Sequence, residues 1–222
     1  AEHAMTPAGQ YASVGIHESQ SRMFENQIGR SRAFCGHLLP KFTAAFGDRG
    51  LTSDGFYAAI NRVHAGYIRT ESDEVHYNLH VLMRFDLERA LMNGDLKIAE
   101  LEGAWNDRFE ADFGLKVDHA ANGVLQDVHW SVGLFGYFPT YSLGNIYAGC
   151  LFEAMQTALP DLQSNFAAGE LAAPIDWLTE NVHKHARMLT PTEIVTKATG
   201  RAPDERALLA YLNTKFGALY GF

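Results

Sequence analysis

Four stretches of this 222-residue chain place chemically versatile polar side chains among apolar neighbours. The first runs from residue 15 to residue 26 and contains His17, Glu18 and Arg22. At helical spacing, Ile16 is difficult to bury without drawing some of these polar groups inward. Because a buried carboxylate needs a cation, hydrogen-bond donors or a metal, Glu18 is a candidate site residue. The simpler alternative is a surface salt bridge from Glu18 to Arg22 at i,i+4 spacing.

The second and third stretches follow one another between residues 68 and 80. Arg69 enters a segment whose first turn is rich in acidic residues. This pattern could indicate a functional arginine. Alternatively, the acidic residues complement the helix dipole and Arg69 forms a surface ion pair with one of them. His76 and His80, at i,i+4 spacing, face the same way and could share a metal. They could equally be ordinary surface or core histidines.

The fourth stretch covers residues 123–141 and is rich in aromatic side chains. Asp127 and His129 lie between apolar residues in a segment punctuated by glycine and proline. Such a segment suits a carboxylate that orients a histidine, or a pocket wall into which tyrosine hydroxyls point. The alternative is a satisfied core network around Trp130.

The elements that must position these side chains are predicted to be helices. Hydrophobic periodicity indicates helices over 10–38, 52–64, 70–93, 95–113, 145–158, 163–170 and 174–186, with two more after Thr190 and Pro203. Pro40 is expected to stop the first of them, and Thr70 with Asp73 resembles a capping box for the third. The stretch 114–144 breaks the pattern and is predicted to be irregular or to contain short strands. We therefore predict a mainly α fold, a single multi-helix body with a small irregular region around 114–144.

Composition narrows the class of protein. The net charge of -8, without a Lys/Arg run, argues against nucleic acid as the main partner. The two cysteines, Cys35 and Cys150, are far apart in sequence and indicate neither a disulfide scaffold nor a cysteine-based zinc site. The sequence has neither an apolar run of membrane-spanning length nor a signal pattern, so no membrane partner and a cytoplasmic location are expected.

Taken together, the four stretches resemble the carboxypeptidase Taq family of zinc metallocarboxypeptidases. The resemblance covers essentially the whole chain and rests on His-Glu-Ser-Gln at 17–20, Ile-Arg-Thr-Glu-Ser-Asp at 68–73, Gly-Val-Leu-Gln-Asp-Val-His-Trp at 123–130 and Gly-Tyr-Phe-Pro-Thr-Tyr at 136–141. It implies a mainly α-helical hydrolase that removes single residues from peptide C-termini and usually forms a homodimer. It also implies zinc, held by two histidines of an HExxH helix and by a glutamate on a later helix.

The resemblance gives each candidate residue a role. Glu18 corresponds to the third metal ligand, with His17, Gln20 and Asp73 in supporting positions. Arg69 would grip the terminal carboxylate of the substrate, because a guanidinium matches a carboxylate bidentately. The residues expected to line the substrate pocket and support the oxyanion are Gln126, Asp127, His129, Tyr137 and Tyr141.

The chain departs from the family pattern in two places. The family usually has threonine where His76 stands, which argues against a metal shared by His76 and His80. More seriously, the 222 residues contain no HExxH sequence, although in the family that helix precedes the glutamate ligand by roughly two dozen residues. Only 17 residues precede Glu18, and the chain opens at Ala1 and not at a methionine. We therefore expect the motif, with two metal ligands and the general base, just upstream of Ala1.

These observations predict that residues 1–222 are the C-terminal portion of a metallocarboxypeptidase catalytic domain and contain no catalytic residue of their own. The lone chain is predicted to lack measurable peptidase activity and to bind zinc weakly at best, because one carboxylate cannot replace three ligands. One alternative is a non-catalytic helical binding or dimerisation module derived from that family. Another is a separate metal site at His76 and His80.

Overall fold

The structure, a computed structural model, describes residue 3 and residues 5–222. The described residues form ten α-helices and no strand, so the mainly α prediction is confirmed. The α-helices are α1 Val14–Arg22, α2 Arg32–Phe46, α3 Ser53–Ile60, α4 His76–Asn93, α5 Leu101–Phe113, α6 Pro139–Ala158, α7 Leu162–Ala168, α8 Ala172–Asn181, α9 Pro191–Thr199 and α10 Arg206–Tyr220. None of the helices in this described part is long and apolar enough to cross a membrane.

The helices belong to two compact units. The first unit contains the residues up to Asn61 together with Leu143–Phe222, and the second unit is Arg62–Ser142. The first unit has a core built on α6, where Leu151 and Met155 are fully buried among side chains of α1, α7, α8 and α9. The core of the second unit forms where α4 meets α5, around Met83, Trp105 and Phe109.

The helix predicted over 10–38 is in fact two α-helices joined by a π-helical segment, Met23–Gly29. Ser31 starts α2, because its hydroxyl accepts a hydrogen bond from the backbone N–H of Phe34. The prediction that Pro40 ends the helix is wrong, since α2 continues to Phe46. Proline is unfavourable in a helix interior, so the packing of α2 against α3 and α7 must outweigh that local cost.

The start of α4 also differs from the prediction. Thr70 lies in a short 3-10 turn, Arg69–Glu71, and makes no capping box. Asp73 caps the helix instead, because its Oδ1 accepts hydrogen bonds from the N–H groups of Val75 (2.9 Å) and His76 (3.0 Å). A short carboxylate is among the strongest helix caps, so the helix starts where Asp73 can reach its free N–H groups.

The buried face of α4 is more polar than its hydrophobic periodicity predicts. That periodicity favours a stripe through Val75, Leu79, Leu82 and Leu87; Leu87 is buried, yet Leu79 is 37% and Leu82 48% exposed. The buried residues of α4 are Tyr77, His80, Val81, Met83, Arg84, Leu87 and Glu88. Periodicity fails here because the polar members are bonded to side chains outside α4, Tyr77 to Arg69, Arg84 to Asp127 and Glu88 to Trp130, which hydropathy does not detect.

Between α5 and α6 the backbone is irregular, as predicted, with turns and one 3-10 turn at Trp130–Val132, but α6 begins at Pro139, so residues 139–144, predicted to be irregular, are helical. After α8, a second irregular segment, His183–Met188, contains a strained residue. Ala186 has φ 45° and ψ -136°, a combination that side chains with a β-carbon rarely adopt. The start of α9 follows the prediction closely, because Thr190 and Glu193 form a capping box with Pro191 in the first turn.

Candidate functional site

In the first unit, Glu18 lies near the middle of α1 and packs against Gly144 of α6. A β-carbon added to Gly144 would lie 2.7 Å from Glu18 Cγ and 2.8 Å from Glu18 Cβ, which is closer than real side chains approach. Only glycine permits this approach, so α6 fixes the stem of the Glu18 side chain. The carboxylate makes no ion pair with any described residue, and Arg22 pairs with Glu25 (2.7 Å). The surface salt bridge from Glu18 to Arg22 is therefore not the role of this residue.

The neighbours of Glu18 on α1 form a short hydrogen-bonded chain. Ser19 is fully buried and donates its hydroxyl to the carbonyl oxygen of Ile16 (2.7 Å). Gln20 Nε2 donates to Ser19 Oγ (2.9 Å), and Gln20 Oε1 accepts from Nε2 of His183 (3.0 Å). His17 is exposed and lies edge-on to the ring of Tyr11. The side chain of Gln20 is thus held at both ends, by a partner in its own helix and by His183.

The described residues do not form a complete metal site. A catalytic zinc needs about three protein ligands, yet no group of three or more His, Cys, Asp or Glu side chains in this part of the chain could hold a metal ion. Glu18 is a single prospective ligand. His76 Nδ1 lies 2.8 Å from Asp73 Oδ2 and the His80 ring lies 4.4 Å from that of Phe113, and no third His, Cys, Asp or Glu of the described residues joins the two histidines in a group that could hold a metal.

In the second unit, Arg69 lies at the centre of a buried ion-pair network. The residue is only 4% exposed, so its interactions are not those of a surface ion pair. Its Nε donates to both carboxylate oxygens of Asp127 (3.1 Å each), its Nη2 donates to Asp127 Oδ1 (2.6 Å) and its Nη1 donates to the Tyr77 hydroxyl (3.0 Å). The guanidinium also lies 4.7 Å from the centre of the Tyr141 ring. Two of the five guanidinium N–H groups are not accounted for by these bonds.

A second arginine shares the same carboxylate. Arg84, which is completely buried, donates from Nε to Asp127 Oδ2 (2.7 Å) and from Nη1 to the carbonyl oxygen of His80 (2.8 Å). Its guanidinium stacks 4.5 Å from the Trp105 ring, and its Nη2 has no hydrogen-bond partner among the described residues. Two guanidinium groups therefore surround one carboxylate, which gives this small cluster an excess of positive charge.

Burial and the nearest opposite charges act in opposite directions on the pKa values of Asp127 and Arg84, whereas burial and the charge of Arg84 act in the same direction on the pKa of His80. Burial alone would raise the pKa of Asp127, but the hydrogen bonds from Arg69 and the charges of both arginines outweigh it, so the pKa is lowered. Burial lowers the pKa of Arg84 to about 10 against the opposing charge of Asp127, and Arg84 remains protonated at neutral pH. Burial, followed by the charge of Arg84, lowers the pKa of His80 to about 3, so His80 is neutral at physiological pH.

The remaining predicted residues of this stretch border the network. Gln126 Oε1 accepts the backbone N–H of Arg69 (2.9 Å), which ties the loop to the start of the arginine turn. His129 Nε2 lies 2.9 Å from the Tyr141 hydroxyl, and the Tyr137 ring centre is 5.5 Å from that of Tyr141. His129 Nδ1 is 3.7 Å from Asp127 Oδ1, beyond hydrogen-bonding distance, because Asp127 is directed at the arginines.

The structure thus places the predicted residues in two groups. Arg69, Gln126, Asp127, His129, Tyr137 and Tyr141 are brought together in the second unit, where Asp73 caps α4. Glu18, His17 and Gln20 lie on α1 in the first unit. Sequence reasoning missed Arg84, which could have been found as a charged residue at i,i+4 from His80 and i,i+7 from Tyr77. It also missed Gly144 and His183, whose roles depend on contacts between helices distant in sequence.

Comparison with known proteins finds relatives that match almost the whole chain. The family model of the carboxypeptidase Taq (M32) metallopeptidases matches residues 1–216. Thermostable carboxypeptidase 1 of Thermus thermophilus is 43% identical over 221 residues, which are 99% of this chain and 43% of that protein. Carboxypeptidase 1 of Bacillus subtilis is 39% identical over 213 residues, 94% of this chain and 42% of that protein. The crystal structure of the M32 carboxypeptidase from Deinococcus radiodurans R1 matches with a TM-score of 0.96 at 40% identity, over 100% of this chain and 45% of that one.

The match therefore extends along the described chain in both sequence and fold, while the chain spans less than half the length of each of these relatives. The chain belongs to the carboxypeptidase Taq (M32) family of metallopeptidases.

Proposed function

We propose that this chain provides one metal ligand, Glu18, and a carboxylate-binding cluster centred on Arg69 to a zinc-dependent metallocarboxypeptidase that removes single residues from peptide C-termini. The observation that carries the proposal is the excess positive charge around Asp127, in a chain that belongs to a metallocarboxypeptidase family. Peptide substrate, zinc and the homodimer come from the family resemblance and remain predictions.

Arg69 suits a substrate carboxylate because the two positive charges of Arg69 and Arg84 are paired with the single negative charge of Asp127. Asp127 neutralises one of two guanidinium groups, so an incoming anion would restore the balance of charge. The side chain is held in place by Asp127 and Tyr77, and a donor that is fixed beforehand loses little entropy on binding. The hydroxyl of Tyr141, which lies 2.9 Å from Nε2 of His129, borders the same network.

A binding experiment on the purified chain tests the role of Arg69. A short peptide with a free C-terminal carboxylate is expected to bind at least tenfold more tightly than the same peptide with a C-terminal amide, as measured by calorimetry. Arg69→Lys keeps the charge but loses the planar fork, so it should remove most of this difference. Arg89→Lys, the same substitution at an exposed position of α4, is the matched control and should leave the difference unchanged. Equal binding of the acid and the amide by the native chain would overturn the proposal.

A second experiment tests the contribution of Glu18. The described residues supply one ligand, so equilibrium dialysis should show only weak zinc binding, which Glu18→Gln weakens further. Peptidase assays on the 222-residue chain should show no hydrolysis. Tight, stoichiometric zinc binding, or zinc binding that is unchanged in the Glu18→Gln variant, would contradict this assignment.

The alternative, a non-catalytic binding or dimerisation module, makes a different prediction. A module of that kind should form its assembly whether or not Glu18 and Arg69 are intact. Sedimentation equilibrium of the Arg69→Lys and Glu18→Gln variants, beside the peptide and zinc measurements, separates the two functions.

A further inference from the structure

The first unit contains a cavity of about 410 Å³ on the side of α1 that carries His17 and Gln20. It is bounded by the turn before α1, by the segment that follows α8 and by α9. The residues that line it are Gly9, Gln10, Tyr11, Ala12, Ile16, His17, Gln20, Ser21, Val182, His183, Ala186 and Ile194. No Asp, Glu, Lys or Arg side chain is among these lining residues, so the cavity favours an uncharged ligand.

The wall of the cavity is apolar and the polar groups converge at one end. Ile16, Val182 and Ile194 are all buried and provide fixed aliphatic surface. At the polar end, Gln20 is held between Ser19 and His183. The imidazole is in turn within 3.4 Å of the Thr179 hydroxyl through Nδ1. An apolar pocket with a few preorganised polar groups is the usual form of a small-molecule or side-chain site.

The backbone of the cavity wall is strained at one residue. Ala186, which lines the cavity, is the one non-glycine residue with positive φ among the described residues. Such a conformation costs of the order of one to several RT and persists only where the surrounding structure imposes it. The strain lies three residues from His183, in the same segment. Because strained residues cluster at ligand-binding sites, the conformation of Ala186 is a second observation that indicates a binding role for this segment.

We propose that this cavity binds an uncharged apolar side chain of a peptide, with the Gln20 side chain, which His183 holds in place, bonding to the adjacent peptide group. The proposal rests on the proposed function, because it takes the ligand to be a peptide. The volume is sufficient for a leucine or phenylalanine side chain with its flanking amide groups. Gln20 is suited to a peptide group because its amide offers both donor and acceptor character.

A test with a carboxylate-free probe keeps this proposal separate from the role of Arg69. N-acetyl-leucinamide has no carboxylate, so its binding is independent of the Arg69 cluster. In a titration of the full 222-residue chain, nuclear magnetic resonance should show saturable shifts of the Gln20 side-chain amide. The expected Kd is in the millimolar range, as is usual for a ligand of about a dozen non-hydrogen atoms. N-acetyl-lysinamide should bind at least tenfold more weakly, because its charge would enter an uncharged cavity.

Two alanine-to-phenylalanine variants serve as a matched pair. Ala12→Phe places a ring in the cavity and should weaken binding of N-acetyl-leucinamide at least tenfold, whereas Ala45→Phe, at an exposed position of α2, should not change it. His183→Gln, which keeps a hydrogen-bonding side chain, covers the case in which Ala12→Phe fails to fold and should weaken binding several-fold. No saturable shift at Gln20 in the native chain, or equal affinity for the leucine and lysine probes, would overturn the proposal. The failure of the Arg69 test would leave these results unaffected.

Discussion

Replacing Asp127 with asparagine should destabilise the second unit more than any surface substitution. The substitution keeps the size of the side chain but removes the carboxylate that two buried guanidinium groups share. The Asp127 side chain is only 11% exposed, so water compensates little of the loss. Removing one partner of a buried ion pair typically costs about 3–5 kcal/mol, because a charge is left uncompensated. For a chain of this size, that corresponds to a fall in Tm of about 6–20 °C.

Urea unfolding followed by circular dichroism measures the loss, with Asp112→Asn as the matched control. Asp112 accepts one bond from Arg108 (2.7 Å) on the surface of α5, where an ion pair contributes about 0–1 kcal/mol. Adding Arg84→Met to Asp127→Asn should recover part of the loss, because it removes one of the two unpaired charges. A loss below about 1 kcal/mol for Asp127→Asn would refute the reasoning, since it would mean that the two arginines do not depend on this carboxylate.

Three further predictions concern His80, Ala186 and Gly144. His80 has a folded pKa of about 3 against an ordinary value near 6.5, so its stabilising contribution is complete above pH 6.5 and falls as the pH is lowered towards 3. Between pH 7 and pH 5 the His80→Gln variant should therefore lose about 2 kcal/mol less than the native chain in urea titrations, and parallel losses would exclude this coupling. Ala186→Gly should raise the unfolding free energy by about 1 kcal/mol by relieving strain, whereas Ala45→Gly in α2 should lower it; a decrease at both positions would disprove the strain. Gly144→Ala should cost about 1–3 kcal/mol, because the new methyl group meets the stem of Glu18, whereas Gly103→Ala, exposed in α5 where the space is open, should raise the unfolding free energy by about 0.5–1 kcal/mol. Equal Tm values for these two alanine variants would contradict the packing.

The fold class could be predicted from the sequence because helix signals are local. The start of α9 is predicted by Thr190, Pro191 and Glu193, and the structure forms the capping box that these residues indicate. The first long helix could not be predicted correctly, because Pro40 carries a local penalty that only the packing of α2 offsets. A helix boundary that depends on tertiary contacts cannot be predicted from the neighbouring residues in the sequence alone.

The candidate site was predictable in part for a similar reason. Arg69, Gln126 and Asp127 stand in short motifs, and the structure brings them into contact. The buried face of α4 was not predictable from periodicity, because Arg84 and Glu88 count as surface residues on any hydropathy scale. Their burial is possible only because distant residues meet them, Asp127 in the case of Arg84 and Trp130 in the case of Glu88.

The contact between Gly144 and Glu18 also restricts which substitutions position 144 can accept during evolution. Every single-nucleotide change at a glycine codon that alters the residue introduces a β-carbon, and at Gly144 that atom would meet Glu18 near the backbone. Shortening the side chain at position 18 would not relieve the clash, because the added atom would also lie 2.8 Å from the β-carbon of that residue. A side chain at position 144 therefore requires α1 and α6 to move apart, whatever residue other than glycine stands at position 18.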